Sequence, residues 1–363
     1  MIQSAILWLS TVLVLLIVII SIYNFLSIRR LKETNKLITS SVSILIPMRN
    51  EEVNAQESVA SALNQKLLSQ FEVIVRDDES SDSTLELLQK ISDSRLSIQI
   101  GKQLPTGWLG KNYAMMELAR ASKGEYLIFL DADVRLSPTA IAESISLLEE
   151  LGLDYLSPYP KQLADDLPSA LVQPLLQWSW FSTLPLRLNE KSLRRSTAVA
   201  NGQFFIVKRA AYLAVGGHSK IRDEVLDDLE LARLLRMHAF RGSVIDGSES
   251  ATCLMYANFS QLLQGYSKSQ WRAFGSIYGA ISAIIFLGLT SVAPFIYAIS
   301  GNSQAVLLSL GVIFTRLLTA WKTQSIIWSS FLHPISIIIW VFLIIYSFNL
   351  KLSGKLQWRG RAL

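Results

Sequence analysis

The first 28 residues of the chain carry no charged side chain. Within them, "AILWLSTVLVLLIVIISIYNFL" supplies the roughly 20 apolar residues that a helix needs to cross a bilayer. Basic residues follow this run, beginning with Arg29 and Arg30, whereas a cleaved signal peptide has its positive charge in front and a small-residue cleavage site behind. The sequence therefore predicts an uncleaved anchor over residues 1–30, whose basic flank holds the next domain on the cytoplasmic side.

Two more apolar runs, at residues 276–300 and 326–348, are long enough to cross a membrane. Between them, "AVLLSLGVIFTRLLTA" is shorter and includes Arg316, for which we expect snorkelling toward the membrane surface. If this run crosses, the basic tail "KLSGKLQWRGRAL" lies outside; if it is interfacial or re-entrant, the tail returns to the cytoplasm, as the positive-inside rule favours. We expect two or three spans over residues 276–363 and a multi-pass protein of the plasma membrane.

The charge balance indicates which partners the basic residues serve. The chain has 34 Lys and Arg against 29 Asp and Glu, and the basic residues cluster beside the apolar runs without interleaved aromatic residues. This arrangement favours the anionic headgroups of a lipid bilayer and argues against nucleic acid. A single cysteine, Cys253, excludes an internal disulfide and a cysteine-based metal cluster. The three histidines, His218, His238 and His333, lack metal-ligand spacing and are expected to be structural.

Between residues 31 and 275 the pattern changes to short apolar runs that alternate with amphipathic stretches. Four runs are rich in β-branched and aromatic residues, as buried strands are. They are "VSILIP" (42–47), "FEVIVR" (71–76), "LSIQI" (96–100) and "YLIFL" (126–130). Ser137 and Pro138 predict a helix start, because a capping hydroxyl precedes the imino acid favoured at the first helical position. The repetition predicts an α/β domain with an open, mostly parallel sheet and helices on both faces, and such sheets bind ligands at the carboxyl ends of their strands.

Pairs of acidic residues follow two of the predicted strands, and a third pair opens a later helical stretch. The pairs are Asp77 with Asp78, Asp131 with Asp133, and Asp227 with Asp228. One isolated pair would suit a helix cap or a solvated loop equally well, but three pairs favour ligand binding. Carboxylate oxygens suit Mg²⁺ or Mn²⁺, whose open positions are filled by substrate phosphates. The sequence therefore predicts a divalent ion and a nucleotide diphosphate at this edge of the sheet.

Two widespread nucleotide-binding loops are missing from the sequence. No G-x-G-x-x-G follows a strand, and "GWLGKN" (107–112) is not a Walker A loop, because its glycines are too close and Asn112 replaces Ser or Thr. Their absence argues against a dehydrogenase and a P-loop NTPase. Lys111 either neutralises a diphosphate as a point charge or is a solvated lysine at a helix start.

Four motifs in sequence order resemble the membrane-bound family-2 glycosyltransferases of GT-A fold. They are "SILIPMRNEE" at the first strand, "VIVRDDESSDST" at the second, "LDAD" as the D-x-D motif, and "VLDDLELARLLRMHAFRG" as an acid pair opening a helix. The stretches "PTGWLGKNYA", "NGQFFIVKRAAYLAVGGH" and the terminal "QWRGR" are most similar to the carotenoid-, hopanoid- and sphingolipid-type lipid glycosyltransferases. The resemblance implies a GT-A domain over residues 31–275.

This resemblance implies a role for each matching residue. Glu51 and Asp78 would hydrogen-bond the base and ribose of a nucleotide sugar, and Asp131 would contact the ribose or the sugar. Asp133 would ligate Mg²⁺ or Mn²⁺, and Asp228 would be the general base. The other implied nucleotide-sugar-binding residues are Pro47, Arg49 and Lys111, the last beside the diphosphate. The implied acceptor-side residues are Asn201, Gly202, Gln203, Asp227, Lys268 and Trp271.

The resemblance also implies an inverting hexosyltransferase that moves one sugar from a UDP-linked donor to a hydroxyl or carboxyl of a membrane lipid or isoprenoid. Processive family members carry a Q-x-x-R-W motif, and "QGYSKSQWRAF" departs from that spacing, which favours single addition. The aromatic-rich segment 169–186 is expected to lie in the membrane interface and deliver the acceptor, or else to be a buried helix pair. A processive polysaccharide synthase and a non-catalytic membrane scaffold of the same fold are the alternatives.

Overall fold

The structure, a computed structural model, describes residues 1–358 and 361–362. Part of the basic tail and of the terminal "QWRGR", at positions 359, 360 and 363, lies outside the described residues. The chain divides into two compact units, each assembled from separate stretches. The helical unit comprises Met1–Ile28, Gln162–Leu186 and Met255–Leu363, and the sheet unit comprises Arg29–Lys161 and Arg187–Leu254. The division into consecutive domains at residues 30 and 275 stays a prediction.

Most of the described strands belong to the sheet unit, and the last two belong to the helical unit. In chain order they are β1 (Val42–Met48), β2 (Phe71–Asp77), β3 (Leu96–Ile100), β4 (Tyr126–Leu130), β5 (Val134–Leu136), β6 (Tyr155–Tyr159), β7 (Lys161–Gln162), β8 (Phe204–Lys208), β9 (Gly242–Asp246), β10 (Ala251–Cys253), β11 (Gln357–Trp358) and β12 (Arg361–Ala362). All four predicted strands are present, and β1 and β2 each extend one residue further than predicted.

The main sheet has seven strands in the order β3-β2-β1-β4-β8-β6-β9. Strand β1 pairs in parallel with β2 and β4, β2 with β3, and β6 with β9, whereas β8 runs antiparallel to both β4 and β6. This topology confirms the open, mostly parallel sheet. Because β1, β2 and β4 run in one direction, their carboxyl ends meet at one edge, where ligands of such sheets bind.

The helices, in chain order, are α1 (Ile2–Ser27), α2 (Ala55–Leu63), α3 (Thr84–Gln89), α4 (Gly110–Ala121), α5 (Ala140–Glu150), α6 (Leu167–Thr183), α7 (Leu186–Asn189), α8 (Arg209–Ala214), α9 (Asp227–Met237), α10 (Phe259–Ala273), α11 (Ile277–Ser291), α12 (Ala293–Ile299), α13 (Ser303–Lys322) and α14 (His333–Leu352). In the sheet unit, Met115 of α4 and Leu231 of α9 join Leu45 and Leu127 of the sheet in one buried cluster. These contacts fix the first turns of α4 and α9 beside the strand ends.

The predicted start of α5 is wrong by two residues. The helix begins at Ala140 with Thr139 at the cap position, so Ser137 is not its cap. The backbone N–H of Ser137 instead donates to the carbonyl oxygen of Ser250 at 2.8 Å, which continues the pairing of β5 with β10 beyond the last strand residue. A tertiary contact therefore overrides the local helix-start signal.

In the helical unit, four helices are long and apolar enough to cross a membrane: Gln3–Ser27, Ile277–Ile299, Ser303–Lys322 and Trp328–Leu352. The third is longer than the apolar run from which it was expected, because polar residues extend it at both ends and the side chain of Asn302 caps it by accepting from the N–H of Ala305. Apolar side chains of α1 point outward, as lipid-facing side chains do; Trp8, for example, is 68% exposed.

Helix α6 contains most of the aromatic-rich segment, and most of its side chains are buried in the helical unit. Its carboxyl end is completed by Asn24 of α1, whose side-chain N–H groups donate to the carbonyl oxygens of Phe181 and Leu184 at 2.6 and 2.7 Å. The expectation that Arg316 snorkels is wrong. Its side chain is buried among the helices, where Nη2 donates to Oγ of Ser329 at 3.4 Å.

Candidate active site

The carboxyl ends of β1 and β2 are tied together around Asp78. The backbone N–H of Asp78 donates to the carbonyl oxygen of Met48 at 2.7 Å. Nη1 of Arg49 donates to the backbone carbonyl oxygen of Asp78 at 2.6 Å. The same guanidinium lies 4.0 Å from the Asp78 carboxylate. Gly101, directly after β3, packs closely against this region. Any side chain there would place its Cβ 2.7 Å from the carbonyl oxygen of Asp77, which is too close. Asp78 and Arg49 are thus held in one place at the sheet edge.

Glu51 starts the loop that leads from β1 to α2. Its backbone N–H donates to Oγ1 of Thr84 at 2.8 Å, and its side chain accepts from Nδ2 of Asn54 at 2.9 Å. The preceding residue, Asn50, has a φ of 52°, a left-handed conformation that asparagine tolerates better than most residues. Pro47 is half-buried near the end of β1. These contacts hold Glu51 in place, and its charge is close enough to Asp133 to help raise the pKa of that acid.

The D-x-D motif forms a turn between β4 and β5. The backbone N–H of Asp131 donates to the carbonyl oxygen of Gln203 at 3.0 Å, and its carbonyl oxygen accepts from Val134 at 3.1 Å. Both acidic side chains are half-buried, whereas Ala132 between them is buried. The turn therefore presents Asp131 and Asp133 at the strand end and leaves the intervening methyl group in the core.

Lys111 lies in the first turn of α4 and contacts acids from two other elements. Its Nζ is 2.8 Å from Oδ1 of Asp131 and 3.6 Å from Oδ2 of Asp227. Burial alone would lower the pKa of Lys111, but the charges of Asp131 and Asp227 outweigh burial and raise it, so the side chain is a permanent cation. We call these three residues the Lys111 cluster. The cluster excludes the simpler interpretation of Lys111 as a solvated lysine.

Asp228 stands beside this cluster at the start of α9. Its Oδ2 accepts from the N–H of Gly202 and its Oδ1 from the N–H of Leu229, each at 2.7 Å. Burial, and then repulsion from Asp227, raise the pKa of Asp228 to about 6, although Lys111 and both N–H donors act in the opposite direction. Asp228 is therefore a fixed carboxylate whose basicity exceeds that of an ordinary aspartate.

Asp133 is the acid with the least compensation in the site. Its Oδ1 accepts no hydrogen bond from any described residue. Burial, followed by repulsion from Asp131 and Glu51, raises the pKa of Asp133 to about 7, and Lys111 offsets this in part. Such an environment stabilises a bound cation, because the cation relieves the repulsion and supplies the missing partner.

The residues present fit a divalent ion that is only partly held by protein. No group of three or more His, Cys, Asp or Glu side chains among residues 1–358 and 361–362 is placed to enclose a metal. Mg²⁺ and Mn²⁺ at nucleotide sites are often bound by one or two carboxylates, while phosphate oxygens and water fill the other positions. Asp133, with Asp131 beside it, suits that mode of binding.

Cys253 is a site neighbour that the sequence interpretation missed. The buried thiol lies against Asp133 and accepts from Nε2 of Gln203 at 3.0 Å, and burial together with the charge of Asp133 raises its pKa well above the ordinary value. Only the position of Cys253 at the end of β10 hinted at this, and a lone cysteine carries little information by itself. The thiol is therefore a protonated group that packs behind the acid.

The segment Asn201–Gln203 holds the acids in position from behind. Asn201 and Gln203 are buried, and the N–H of Asn201 donates to Oγ of Ser157 at 2.7 Å. As described above, Gly202 donates to Asp228, and Gln203 contacts both Asp131 and Cys253. The predicted acceptor-side role of this segment stays a prediction, and its observed contacts are positional.

The structure therefore brings most of the predicted site residues to one region of the sheet unit. Asp133 and Asp228 lie close enough to Lys111 to interact with its charge, Glu51 interacts with Asp133, and Asp78, Arg49 and Pro47 lie at the adjoining strand ends. Lys268 and Trp271 belong to α10 of the helical unit, where Nε1 of Trp271 donates to the carbonyl oxygen of Lys268 at 2.9 Å. Their acceptor-side role stays a prediction.

Comparison with known protein families identifies the domain that contains these residues. Residues 43–216, from β1 to just after α8, match the family described as glycosyl transferase family 2. The chain contains a family 2 glycosyltransferase domain. The match includes the D-x-D turn, Lys111 and the Asn201–Gln203 segment, and it ends before Asp228. The resemblance inferred from the four motifs is confirmed.

Curated relatives of this domain are named as transferases of sugar groups. The 4,4'-diaponeurosporenoate glycosyltransferase of Staphylococcus haemolyticus is 25% identical over 240 residues, which are 63% of this chain and 61% of that protein. An undecaprenyl-phosphate 4-deoxy-4-formamido-L-arabinose transferase of Aeromonas hydrophila is 28% identical over 171 residues, 47% of this chain and 48% of the relative. The chain thus spans less than two thirds of the length of either relative.

A solved structure supports the fold. A mannosyltransferase from Pyrobaculum calidifontis, determined in complex with GDP-Man and Mn²⁺, aligns with a TM-score of 0.58 at 16% identity, and the alignment covers 94% of this chain and 98% of that one. At this identity the likeness establishes the fold and no more. The GT-A fold of the domain is confirmed.

Proposed function

We propose that this protein is an inverting glycosyltransferase that moves one sugar from a nucleotide-sugar donor to a hydroxyl or carboxyl group of a membrane lipid. The observation that carries the proposal is the Lys111 cluster, in which one half-buried cation joins Asp131 after β4 to Asp227 at the start of α9. Asp228, the candidate base, follows Asp227 in the chain and lies close enough to Lys111 for the lysine to affect its pKa. The names of the two lipid-acting relatives support a lipid or isoprenoid acceptor.

The donor is held at the carboxyl ends of β1, β2 and β4 in this proposal. Glu51 and Asp78 accept hydrogen bonds from the base and ribose, while Arg49 keeps Asp78 in place and Pro47 shapes the adjoining strand end. Asp131 contacts the ribose or sugar, and Asp133 holds Mg²⁺ or Mn²⁺. When bound, that ion supplies positive charge to the departing diphosphate. The Mn²⁺ in the solved mannosyltransferase supports a divalent ion.

The chemistry requires a base on one side of the anomeric carbon and positive charge on the other. Asp228 removes the proton from the acceptor oxygen as that oxygen attacks, and Lys111 stabilises the charge that develops on the leaving diphosphate. The bond from the anomeric carbon to the diphosphate breaks as the bond to the acceptor forms. One base and no protein nucleophile give a single displacement, which inverts the configuration.

Transfer from radiolabelled UDP- and GDP-sugars by the purified chain, with membrane lipid extract as acceptor, tests the proposal. We expect one labelled lipid that migrates as a single glycolipid on a thin-layer plate and requires Mg²⁺ or Mn²⁺. Comparison of the UDP-sugars with the GDP-sugars identifies the nucleoside of the donor, for which we propose uridine. A ladder of products would instead support a processive synthase, and no transfer from any donor would support a non-catalytic scaffold.

The pH dependence of transfer should report the state of Asp228. The base must be ionised, so turnover should rise as the pH increases through about 6, the raised pKa of this group. Changing Asp227 to Asn removes the neighbouring negative charge, and this acid limb should then move to lower pH by up to about one unit. A profile of kcat against pH for both proteins checks this. An acid limb at the same pH in both would assign the ionisation to another group.

Gly202 should be sensitive to the smallest substitution. A Cβ at this position would lie 3.1 Å from Cβ of Asp228 and 3.4 Å from its Oδ2, so the carboxylate must shift by a few tenths of an ångström. We expect Gly202→Ala to lower kcat by about tenfold to a hundredfold with little change in donor affinity, because small misplacements of a reacting group are costly. Gly288→Ala is a control, since a Cβ there meets nothing within 4 Å and its backbone is not left-handed. Wild-type kcat in Gly202→Ala would contradict the assignment of Asp228.

Our proposal also places the protein in the plasma membrane with the sheet unit in the cytoplasm. The four apolar helices and the basic residues after α1 support this orientation. Cysteine accessibility measured in intact cells, with single cysteines introduced at exposed positions such as Glu57 and Arg120, distinguishes the two sides.

A further inference from the structure

The interior of the helical unit contains four long polar side chains with almost no exposed surface. Gln173 and Gln177 on α6 are 3% and 0% exposed, Arg316 on α13 is 2% exposed, and His333 at the start of α14 is 0% exposed. We call these four residues the buried polar cluster. Side chains of this kind are rare inside apolar helix bundles, and those that occur usually mark a site where a polar ligand or ion is handled.

Direct contacts connect three helices around the cluster. Trp178 of α6 donates from Nε1 to Oγ1 of Thr315, the neighbour of Arg316, at 2.8 Å, and its ring centroid is 4.6 Å from that of His333. The Ser329 hydroxyl that accepts from Arg316 lies four residues before His333. Trp178 therefore packs between the helix that carries the arginine and the helix that carries the histidine.

The cluster is only partly satisfied by hydrogen bonds from protein. Oε1 of Gln177 accepts from Oγ1 of Thr323 at 3.2 Å. Among the described residues, no partner is present for Nε2 of Gln177, for either polar atom of the Gln173 amide, for Nε of Arg316 or for either ring nitrogen of His333. Buried polar atoms in folded proteins are almost always hydrogen-bonded, so this many unsatisfied atoms in one region indicate that something else binds there.

The charge of Arg316 indicates what kind of ligand binds there. Residues 255–363 contain no Asp or Glu, and the only acids in the helical unit are Asp165 and Asp166, of which Asp166 caps the start of α6 by accepting from the N–H of Ser169. No acidic side chain of the described residues lies within ion-pair distance of Arg316. A guanidinium stays charged in proteins, and a buried charge without a counter-ion is strongly destabilising. The ligand is therefore anionic.

The surroundings indicate that the anion carries an apolar chain. The cluster is enclosed by apolar helices whose core includes Val172, Leu175 and Ile337, and the outer faces of those helices carry many exposed aliphatic side chains. A lipid can approach such a site from the bilayer, whereas a small inorganic anion must first leave water. The two glutamine amides supply donors and acceptors for a carboxylate or phosphate headgroup.

We propose that the buried polar cluster binds the anionic headgroup, a carboxylate or a phosphate, of a membrane lipid that enters between α6, α13 and α14. Arg316 supplies the counter-charge, and Gln173, Gln177 and His333 supply hydrogen bonds. This inference goes beyond the proposed sugar transfer and does not depend on it, because the lipid binds whether or not it is the acceptor.

Binding to the full chain purified in a neutral detergent tests the inference by native mass spectrometry and by the shift in melting temperature. The probes are oleic acid, dioleoyl phosphatidic acid, the uncharged analogues oleyl alcohol and dioleoylglycerol, and inorganic phosphate alone. We expect one molecule of an anionic lipid to bind and raise the melting temperature, and the uncharged lipids to have no effect. Equal stabilisation by inorganic phosphate or by the uncharged lipids would overturn the proposal.

The informative variant is Arg316→Met, which keeps the volume of the side chain and removes its charge. It should weaken anionic-lipid binding by at least about tenfold, because charge-assisted hydrogen bonds are lost. In lipid-free protein it should melt at the same or a higher temperature, since an uncompensated buried charge is gone. Lys322→Met removes a charge from the same helix outside the cluster and should bind lipid normally. Unchanged lipid affinity in Arg316→Met would overturn the proposal.

A second variant tests the proposal in case Arg316→Met does not fold. Gln173→Leu leaves the charge in place and removes an amide that has no partner among the described residues, so the protein should fold and lose about fivefold in affinity for anionic lipid. Leu176→Gln alters an exposed position on the same helix and serves as the control. The proposal would likewise be overturned if Gln173→Leu bound anionic lipid with wild-type affinity and Arg316→Met did the same. If Arg316→Met did not fold, wild-type affinity in Gln173→Leu alone would overturn it. None of these measurements requires turnover.

Discussion

Replacement of Asp228 with asparagine is expected to reduce sugar transfer by about a hundredfold to ten-thousandfold and to leave donor binding intact. The asparagine has nearly the same shape, and its amide oxygen can still accept from the N–H of Gly202, but it cannot take the acceptor proton. Donor affinity should persist because the donor is proposed to bind at Glu51, Asp78 and Asp133. Single-turnover transfer rates and calorimetric titration with UDP in the presence of Mn²⁺ separate the two effects.

A matched control for this experiment is Asp223→Asn, which changes an exposed acid five residues earlier in the chain. It should transfer sugar at the wild-type rate. If Asp228→Asn retains a rate within a few-fold of the wild type, the general base is another group and the mechanism proposed above is wrong. If both turnover and donor binding are lost, Asp228 serves the architecture of the site.

Replacement of Asp133 with asparagine is expected to abolish metal-dependent donor binding as well as turnover, with a fall in kcat/KM of at least about a hundredfold. Oδ1 of Asp133 accepts from none of the described residues, and repulsion by Asp131 and Glu51 favours a cation beside it. An asparagine cannot offer the negative charge that the ion requires. Free Mn²⁺ measured by electron paramagnetic resonance, with and without UDP, reports the binding directly.

The stability of Asp133→Asn distinguishes a metal ligand from a structural acid. Without metal, the variant should melt at the same or a higher temperature than the wild type, because a half-buried charge and its repulsion from two neighbours are removed. With Mn²⁺ and UDP, only the wild type should gain stability, since ligand binding stabilises the folded state. A large loss of stability in metal-free Asp133→Asn, with Mn²⁺ binding retained, would refute the assignment.

Much of the sheet unit could be predicted from local sequence. The strands from β1 to β4 were found at their predicted positions because each is a short run rich in β-branched or aromatic residues, and β1 and β4 are buried almost throughout. Because the carboxyl ends of parallel strands meet at one edge of a sheet, the acids after β2 and β4 were expected to face the same crevice. Local signals failed at the start of α5, where the pairing of Ser137 with Ser250 outweighed a capping sequence.

The interpretation of single charged residues depended on partners that the sequence does not reveal. Lys111 was equally compatible with a solvated helix start and with a site cation, and its contacts with Asp131 and Asp227 decided between them. Arg316 was expected to snorkel because it lies in an apolar run, yet the packing of α6, α13 and α14 buries it. In both cases the deciding contacts join residues that are far apart in the chain.

The amino-acid sequence alone predicts apolar helices at both ends of this protein, a mostly parallel sheet between them and acids at the ends of the strands. Burial patterns and chain connectivity are local properties, and they suffice for those conclusions. The antiparallel insertion of β8 between β4 and β6, the thiol of Cys253 behind Asp133 and the uncompensated charge of Arg316 emerged only from the folded chain. Each is a contact between distant segments, whose energy depends on packing and on neighbouring charges that no local pattern records.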